Sequence, residues 1–183
     1  MAPGLREQRR EFTRSQILSA AVDLLAERGP TELTIRNLAA RVNYSPMALY
    51  AYFPAKSDLL TAVTAVIAEQ FEKTLAQAGP RLETAAAAWV RFACDDPKRY
   101  RLLFAPGAAG SHATAERVLG ALVSARIPEA RRTEAKVQRV TLAVWAGLHG
   151  LATLMTDAPD VPFAQTGVAD ALIPAMLRGF LLD

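Results

Sequence analysis

Residues 34–56 constrain the fold more than any other stretch, because they predict two short helices joined by a tight turn. In the first helix the apolar residues recur at the i, i+3, i+4 and i+7 spacing of one buried face, namely Ile35, Leu38, Ala39 and Val42. Arg36 and Arg41 fall outside this face. The stripe therefore packs into a core, while the arginines stay available to a partner.

Local backbone chemistry predicts the turn and the second helix. Asn43 tolerates the left-handed conformation that often ends a helix. Ser45 followed by Pro46 is an N-cap with proline at the first helical position. Leu49 and Phe53 lie one turn apart and can both face the core. Two short helices around such a turn are typical of a helix-turn-helix, an element that reads DNA.

These residues resemble the N-terminal domain of the TetR family of bacterial transcriptional regulators. The family's Thr-x-x-x-Leu-Ala motif is present at residues 34–39, and its Leu-Tyr-x-Tyr-Phe-x-x-Lys motif at residues 49–56. The likeness continues back through residues 14–29 and forward through residues 57–60, so about a third of the chain carries it. The resemblance implies an all-α fold that begins with a three-helix DNA-binding domain.

Two positions depart from the family pattern. Asn43 stands where glycine is frequent, and Ala55 stands where Ser or Asn would cap the next helix. A helix that starts at Lys56 without a capping side chain has unpaired N–H groups, and its lysine opposes the helix dipole. A DNA phosphate would satisfy both, as anions do at helix N-termini.

The resemblance also implies a division of DNA contacts. Lys56 and the hydroxyls of Tyr50 and Tyr52 bind phosphates, which position the protein on the duplex. The exposed start of the second helix and the guanidinium of Arg36 read bases. Taken alone, an arginine is more often a solvated charge and a tyrosine a packing residue, so only the joint pattern favours these roles. The predicted DNA-binding residues are Thr34, Arg36, Ser45, Pro46, Met47, Ala48, Tyr50, Tyr52 and Lys56.

The charge distribution supports a nucleic-acid partner. Residues 1–56 hold eight of the 21 Lys and Arg but only five of the 18 Asp and Glu, so the formal net charge of +3 lies entirely in this part. Residues 1–12 are predicted to be a flexible basic arm. Its arginines either reach an adjacent phosphate or minor groove, or belong to a disordered terminus.

Composition narrows the class of protein. Of the 183 residues 51% are hydrophobic, enough for a sizeable core. The single cysteine, Cys94, excludes an internal disulfide. No signal peptide is recognisable, and we expect a cytoplasmic protein. The uncharged run 140–156 has 17 residues with apolar positions three or four apart, so it predicts a helix that packs on a partner helix rather than a membrane span.

Beyond residue 57 every segment reads as helical, with breaks at 79–80, 95–97, 105–111, 127–130 and 157–167. We therefore expect about nine helices in all. The predicted domains are a helix-turn-helix DNA-binding domain at residues 1–56 and a helical effector-binding and dimerisation domain at residues 57–183.

The second half resembles one TetR subgroup, which carries Trp, His and Gly close together on its penultimate helix. Here these are Trp145, His149 and Gly150. The resemblance implies a homodimer through residues 131–156 and 167–181. It also implies a largely apolar small-molecule effector, although core packing explains many of these side chains equally well. The predicted ligand-binding residues are Trp89, Phe92, Tyr100, Phe104, Trp145, His149 and Met155.

The sequence contains no recognisable catalytic machinery. No nucleophile has a nearby base, no glycine-rich loop could hold a phosphate, and the two histidines lack metal-ligand spacing. We therefore expect no enzyme activity, metal or cofactor. The leading hypothesis is a dimeric repressor that binds a palindromic double-stranded DNA operator and is released by an effector. The alternative is a helical ligand-binding or protein-interaction adaptor without operator specificity.

Overall fold

A computed structural model describes residues 4–105, 111–157 and 168–181. Within these ranges there are nine α-helices and no strand, which confirms the all-α prediction. The helices are α1 (Leu5–Arg28), α2 (Ile35–Arg41), α3 (Pro46–Tyr50), α4 (Lys56–Gln77), α5 (Leu82–Asp95), α6 (Pro97–Leu103), α7 (Ser111–Arg126), α8 (Glu134–Asp157) and α9 (Val168–Leu181). A short 3-10 helix, Glu129–Arg131, precedes α8.

The predicted flexible arm is wrong from Leu5 onward, because α1 already begins there. Residues 5–12 are exposed, but they consist of strong helix formers and are continuous with the buried part of the helix. The Arg10 guanidinium donates a hydrogen bond to the carbonyl of Ala51 at 3.1 Å, which ties this segment to the end of α3. Residues 1–3 of the predicted arm lie outside the described residues.

The long helix α4 connects the N-terminal helices to the rest of the molecule. It packs against α1 at its start and against α5, α6 and α7 further along. Its buried side chains, from Leu59 to Leu75, belong to one continuous apolar cluster that extends from α1 to α9. The predicted domain boundary at residue 56 falls at the first turn of α4, and the division into two domains stays a prediction.

Most predicted helix breaks coincide with caps or turns. Gly79 has a φ of 88° just after α4, a conformation that glycine adopts without strain. Asp96 caps α6 by accepting a hydrogen bond from the Arg99 amide at 3.0 Å, with Pro97 in the first helical position. Residues 106–110 and 158–167, which contain most of two other predicted breaks, lie outside the described residues.

Helices α8 and α9 approach each other closely at Gly147. A Cβ added there would lie 2.5 Å from Met176 Sδ and 3.3 Å from the Phe180 ring. A Cβ at Gly150, one turn away, would have no atom within 4 Å, and this residue is exposed. Helix α8 therefore packs closely inside the chain at Gly147, while its surface at Gly150 stays open.

Neither a membrane span nor a metal cluster is present in the part of the chain that the structure describes. None of its helices is both long and apolar enough to cross a bilayer. No three His, Cys, Asp or Glu side chains there are grouped so as to hold a metal ion.

Candidate nucleic-acid interface and effector region

The turn between α2 and α3 has the predicted left-handed residue. Asn43 has a φ of 56°, and the Tyr44 amide donates to the carbonyl of Ala39 at 3.0 Å. The side chains of two predicted DNA-binding residues cap the flanking helices. Thr34 Oγ1 accepts from the Asn37 amide, and Ser45 Oγ accepts from the Ala48 amide, each at 3.1 Å. These hydroxyls therefore fix the starts of α2 and α3.

Helix α3 has one buried face and one exposed face. Leu49 and Phe53 are almost completely buried, whereas Met47 is 79% and Tyr50 46% exposed. Arg36 on α2 is also exposed and forms neither a hydrogen bond nor an ion pair with the described residues. Apolar and aromatic side chains that are exposed together, with polar residues around them, often mark an interaction site. The face is therefore suited to contact a ligand rather than the protein's own core.

The remaining predicted contacts differ in exposure. Pro46 and Lys56 are exposed, Ala48 is partly buried, and the half-buried ring of Tyr52 packs against the core. Ala55 provides no side-chain hydrogen bond to the first amides of α4, as the sequence predicts. Asp58 Oδ2 accepts a hydrogen bond from the amide of Ala55 itself at 2.9 Å, which supports this end of the helix without pairing its first amides.

Tyr44 is a surface residue that the sequence analysis did not include in the interface. Its side chain is 43% exposed in the turn that precedes Ser45. Its place directly before the N-cap Ser45, outside the apolar pattern of both helices, is a signal that could have identified it.

Three side chains connect α6 to the helix-turn-helix. The Lys98 ammonium on α6 donates to the carbonyls of Ala26 and Glu27 at the end of α1, both at 2.8 Å. The Glu27 carboxylate in turn accepts two hydrogen bonds from Arg41 on α2, at 2.6 and 2.7 Å. The Arg41 guanidinium lowers the pKa of Glu27. Helix α6 is thus linked through α1 to α2.

The predicted ligand-binding residues largely form one aromatic cluster. Trp89 stacks on Phe104 with ring centroids 5.5 Å apart, and Trp145 stacks on His149 at 5.9 Å. Phe71, which was not predicted, contacts Phe92, Trp89 and Phe104 edge-on. Met155 packs against the apolar core but forms none of these ring contacts.

A chain of hydrogen bonds crosses this cluster. The Trp89 indole donates to the Tyr100 hydroxyl at 2.9 Å, and that hydroxyl lies 2.7 Å from His149 Nδ1. Because an indole N–H only donates, the phenol accepts it and is free to donate its own proton to Nδ1. Burial, followed by the charge of His112, lowers the pKa of His149, and burial raises the pKa of Tyr100. His149 is therefore neutral in the folded protein near neutral pH.

An open groove lies beside the cluster, between α7 and α8. It has a volume of about 590 Å³. Its walls include His112, Glu116, Gln138, Arg139, Leu142 and Trp145. Trp145 is the one predicted ligand-binding residue that lines it, whereas Trp89 and Tyr100 are fully buried in the cluster.

Comparison with known families accounts for both halves of the chain. Residues 17–63 match the family described as bacterial regulatory proteins, tetR family. Residues 82–180, more than half of the chain, match the tetracyclin repressor-like C-terminal domain. The chain belongs to the TetR family. This confirms the resemblance predicted from the helix-turn-helix motifs.

Related TetR-family proteins match over different lengths. An HTH-type transcriptional repressor of Mycobacterium tuberculosis is 43% identical over 54 residues, which is 30% of this chain and 29% of that protein. An uncharacterized HTH-type regulator of Mycobacterium bovis is 36% identical over 58 residues, 32% of this chain and 27% of that protein. The chain thus matches less than a third of the length of these curated relatives.

Solved structures share the fold over nearly the whole chain. A tetR-family transcriptional regulator from Streptomyces coelicolor has a TM-score of 0.66 at 20% identity, with 94% of this chain and 90% of that chain covered. A crystal structure of BioQ with its double-stranded DNA operator has a TM-score of 0.66 at 19% identity, covering 93% and 98% of the two chains. At these identities the likeness concerns the fold alone.

Proposed function

We propose that this TetR-family protein is a transcriptional repressor that binds a palindromic DNA operator as a homodimer and is released by a small-molecule effector. The observation that carries the proposal is the exposed face of α3, where Met47 and Tyr50 lie in solvent while Leu49, on the opposite face, is buried in the core. The protein acts in the cytoplasm and catalyses no reaction.

The proposed DNA-binding residues divide into phosphate contacts and base contacts. Tyr50, Tyr52 and Lys56 bind phosphate oxygens and position the protein. Met47 and Ala48 approach thymine methyl groups, and Arg36 pairs with a guanine edge. Four further side chains complete or support this surface, namely Thr34, Ser45, Pro46 and Tyr44.

The proposed dimer interface lies on α8 and α9. Both helices keep apolar or small side chains exposed, which is unusual unless a second chain covers them. On α8 these include Ala146, Gly150 and Leu154, and on α9 they are Leu172, Ala175 and Gly179. A dimer of this kind would present two α3 helices to successive major grooves, about 34 to 36 Å apart.

Two routes connect the effector half to DNA. Helix α4 begins at the proposed phosphate contact Lys56 and runs through the core to Gln77. The second route runs from Lys98 on α6 to α1 and on to Arg41 of α2. An effector lowers operator affinity if it favours a dimer geometry in which the α3 helices no longer fit both half-sites.

Binding to the DNA that flanks the protein's own gene tests the proposal, beside scrambled DNA at one salt concentration near 150 mM. The flanking DNA should bind about a thousandfold more tightly than scrambled DNA. Tyr50→Ala should weaken binding to all sequences, and Arg36→Ala should relax sequence preference. Arg91→Ala is the matched control, because Arg91 is exposed on α5, far along the chain from α3.

Equal, weak binding to every DNA, including duplexes selected from random sequence, would contradict operator recognition. The result would then favour the adaptor alternative.

A further inference from the structure

The groove between α7 and α8 contains polar atoms that the DNA-binding proposal does not use. Thr141 is only 3% exposed, and its hydroxyl has no hydrogen-bond partner among the described residues. The indole nitrogen of Trp145, one turn further along α8, is also buried and unpaired there. Buried polar groups are normally paired, so two on one helix face call for an explanation. Both residues line the groove.

The groove has more donors than acceptors. The indole of Trp145 and the guanidinium of Arg139 can only donate, and Arg139 is exposed and unpaired among the described residues. Glu116 on the facing helix is the lining group that can only accept. An arginine and an indole together suit a carboxylate, which accepts at both oxygens.

The rest of the lining suits a flat apolar body. The rings of Trp145 and His112 lie 5.4 Å apart, and the side chain of Leu142 is 61% exposed. Aromatic rings stack on such surfaces with their centroids about 4.5 to 7 Å apart. The Glu116 carboxylate repels a second acidic group, so the chemistry fits one acid function on one ring system.

We propose that this groove binds an aromatic monocarboxylate, whose ring packs on Trp145 and Leu142 and whose carboxylate pairs with Arg139. The inference rests on the proposed function in one respect, since it assigns the effector class and places the effector site outside the aromatic cluster. The binding itself requires no DNA.

The same contact offers a route to regulation. The unpaired atoms of Thr141 and Trp145 are covered in the structure, so a ligand reaches the indole N–H only when the packing around the groove shifts. Helix α7 lines the groove and also packs on α4, which starts at Lys56. A ligand that shifts α7 therefore acts on the helix that carries a proposed phosphate contact.

The test follows the two indole N–H signals of the full chain by ¹H–¹⁵N NMR without DNA. The chain has two tryptophans, so Trp89→Phe identifies the Trp145 signal. The probes are 4-tert-butylbenzoate and its amine counterpart 4-tert-butylbenzylamine, which match in shape but differ in charge. We expect the benzoate to shift the Trp145 signal, and the amine to leave it in place.

Two variants locate the carboxylate. Arg139→Gln should weaken benzoate binding about tenfold or more, because it removes the charge-assisted bond. Arg131→Gln, an exposed arginine that does not line the groove, should leave binding unchanged. Both residues are on the surface, so neither change should prevent folding.

Four results would overturn the inference. They are equal binding of the amine, a shift of the Trp89 signal instead of the Trp145 signal, an Arg139→Gln variant that binds as well as wild type, and no binding of either probe. If only the monomeric Leu154→Glu variant bound the benzoate, a second copy of the chain would cover the groove. The titration omits DNA, so a failure to bind benzoate would not contradict operator recognition. Conversely, a failure to recognise an operator would not contradict benzoate binding in the groove.

Discussion

Asn43 holds the turn between α2 and α3 in a conformation that β-branched residues avoid. Its φ of 56° lies in the left-handed region. We predict that Asn43→Val lowers the free energy of unfolding by about 1 to 2 kcal/mol, whereas Asn43→Gly leaves it nearly unchanged. Urea unfolding followed by circular dichroism measures both. Equal midpoints for the valine and glycine variants would show that the turn is not strained by a side chain.

His149 should make stability depend on pH. The fold lowers the pKa of His149 below its unfolded value of about 6.5, so the folded protein favours the neutral imidazole. The stabilisation is fully present above the unfolded pKa, and it is lost as the pH falls from that value towards the folded pKa. Protonation of Nδ1 also opposes the proton that Tyr100 donates there. We predict that the free energy of unfolding falls between about pH 7 and pH 5.5, and that His149→Gln flattens this dependence.

The other histidine provides the control for this prediction. His112 is exposed and the chain has two histidines, so His112→Gln should retain most of the pH dependence. An unchanged slope in His149→Gln would contradict the assignment.

Single-residue features were predictable where the interaction is local. The left-handed Asn43 and the N-cap Ser45 depend on atoms within a few residues, and both predictions are confirmed. Local interactions did not predict which of the ligand-binding candidates line an open groove. Whether Trp89 or Trp145 borders open space depends on which helices pack around it. A buried tryptophan and a tryptophan that lines a groove have the same sequence pattern, so the sequence does not separate them.

At the level of helices, the hydrogen bonds between α6 and α1 should affect operator binding when they are lost. Lys98 donates two hydrogen bonds to carbonyls at the end of α1, where a cation also favours the helix dipole. We predict that Lys98→Met lowers stability by about 1 kcal/mol. It should also weaken operator binding a few-fold, because α1 positions α2 through the Glu27 and Arg41 pair.

Hydrogen exchange measures this effect directly, since the last turn of α1 should exchange faster in Lys98→Met. Lys73→Met is the matched control, because Lys73 is exposed on α4 and, among the residues that the structure describes, pairs only with Glu69 across one turn. If both variants show the same amide exchange rates in α1 and the same DNA affinity, the Lys98 hydrogen bonds do not stabilise the end of α1.

Helix boundaries followed closely from proline, glycine and capping residues. The start of α6 at Pro97 and the end of α4 before Gly79 are examples. The main error was the arm, because residues 5–12 have no buried face of their own and their order depends on continuity with α1 and on the contact of Arg10 with Ala51. A terminal segment without apolar periodicity gives no such signal.

For the whole molecule, the exposed stripe of α8 should be the dimer interface. We predict that Leu154→Glu, at a side chain 48% exposed, gives a folded monomer at concentrations where wild type is a dimer. Loss of the second half-site contact should lower affinity for a palindromic operator about a hundredfold or more. Light scattering coupled to size exclusion measures the mass.

Leu5→Glu is the control for oligomeric state, because Leu5 is 78% exposed on α1, far along the chain from α8. A Leu154→Glu variant that stays dimeric would place the interface elsewhere.

The arrangement of the molecule as a whole was only partly predictable. Motifs at residues 34–56 indicated the family, and the family implied the layout of the helices. The groove beside Trp145 was not predicted, because it forms between His112 and Leu142, which are distant in sequence and carry no shared motif.

Selection from a random pool of duplex DNA tests the central claim most directly. The protein should enrich a near-palindrome whose half-sites are one helical turn apart, about 34 to 36 Å, and Tyr50→Ala should enrich it only at a higher protein concentration. Enrichment of no common sequence by wild type, or enrichment by Tyr50→Ala at the same protein concentration as wild type, would contradict operator recognition through the exposed face of α3.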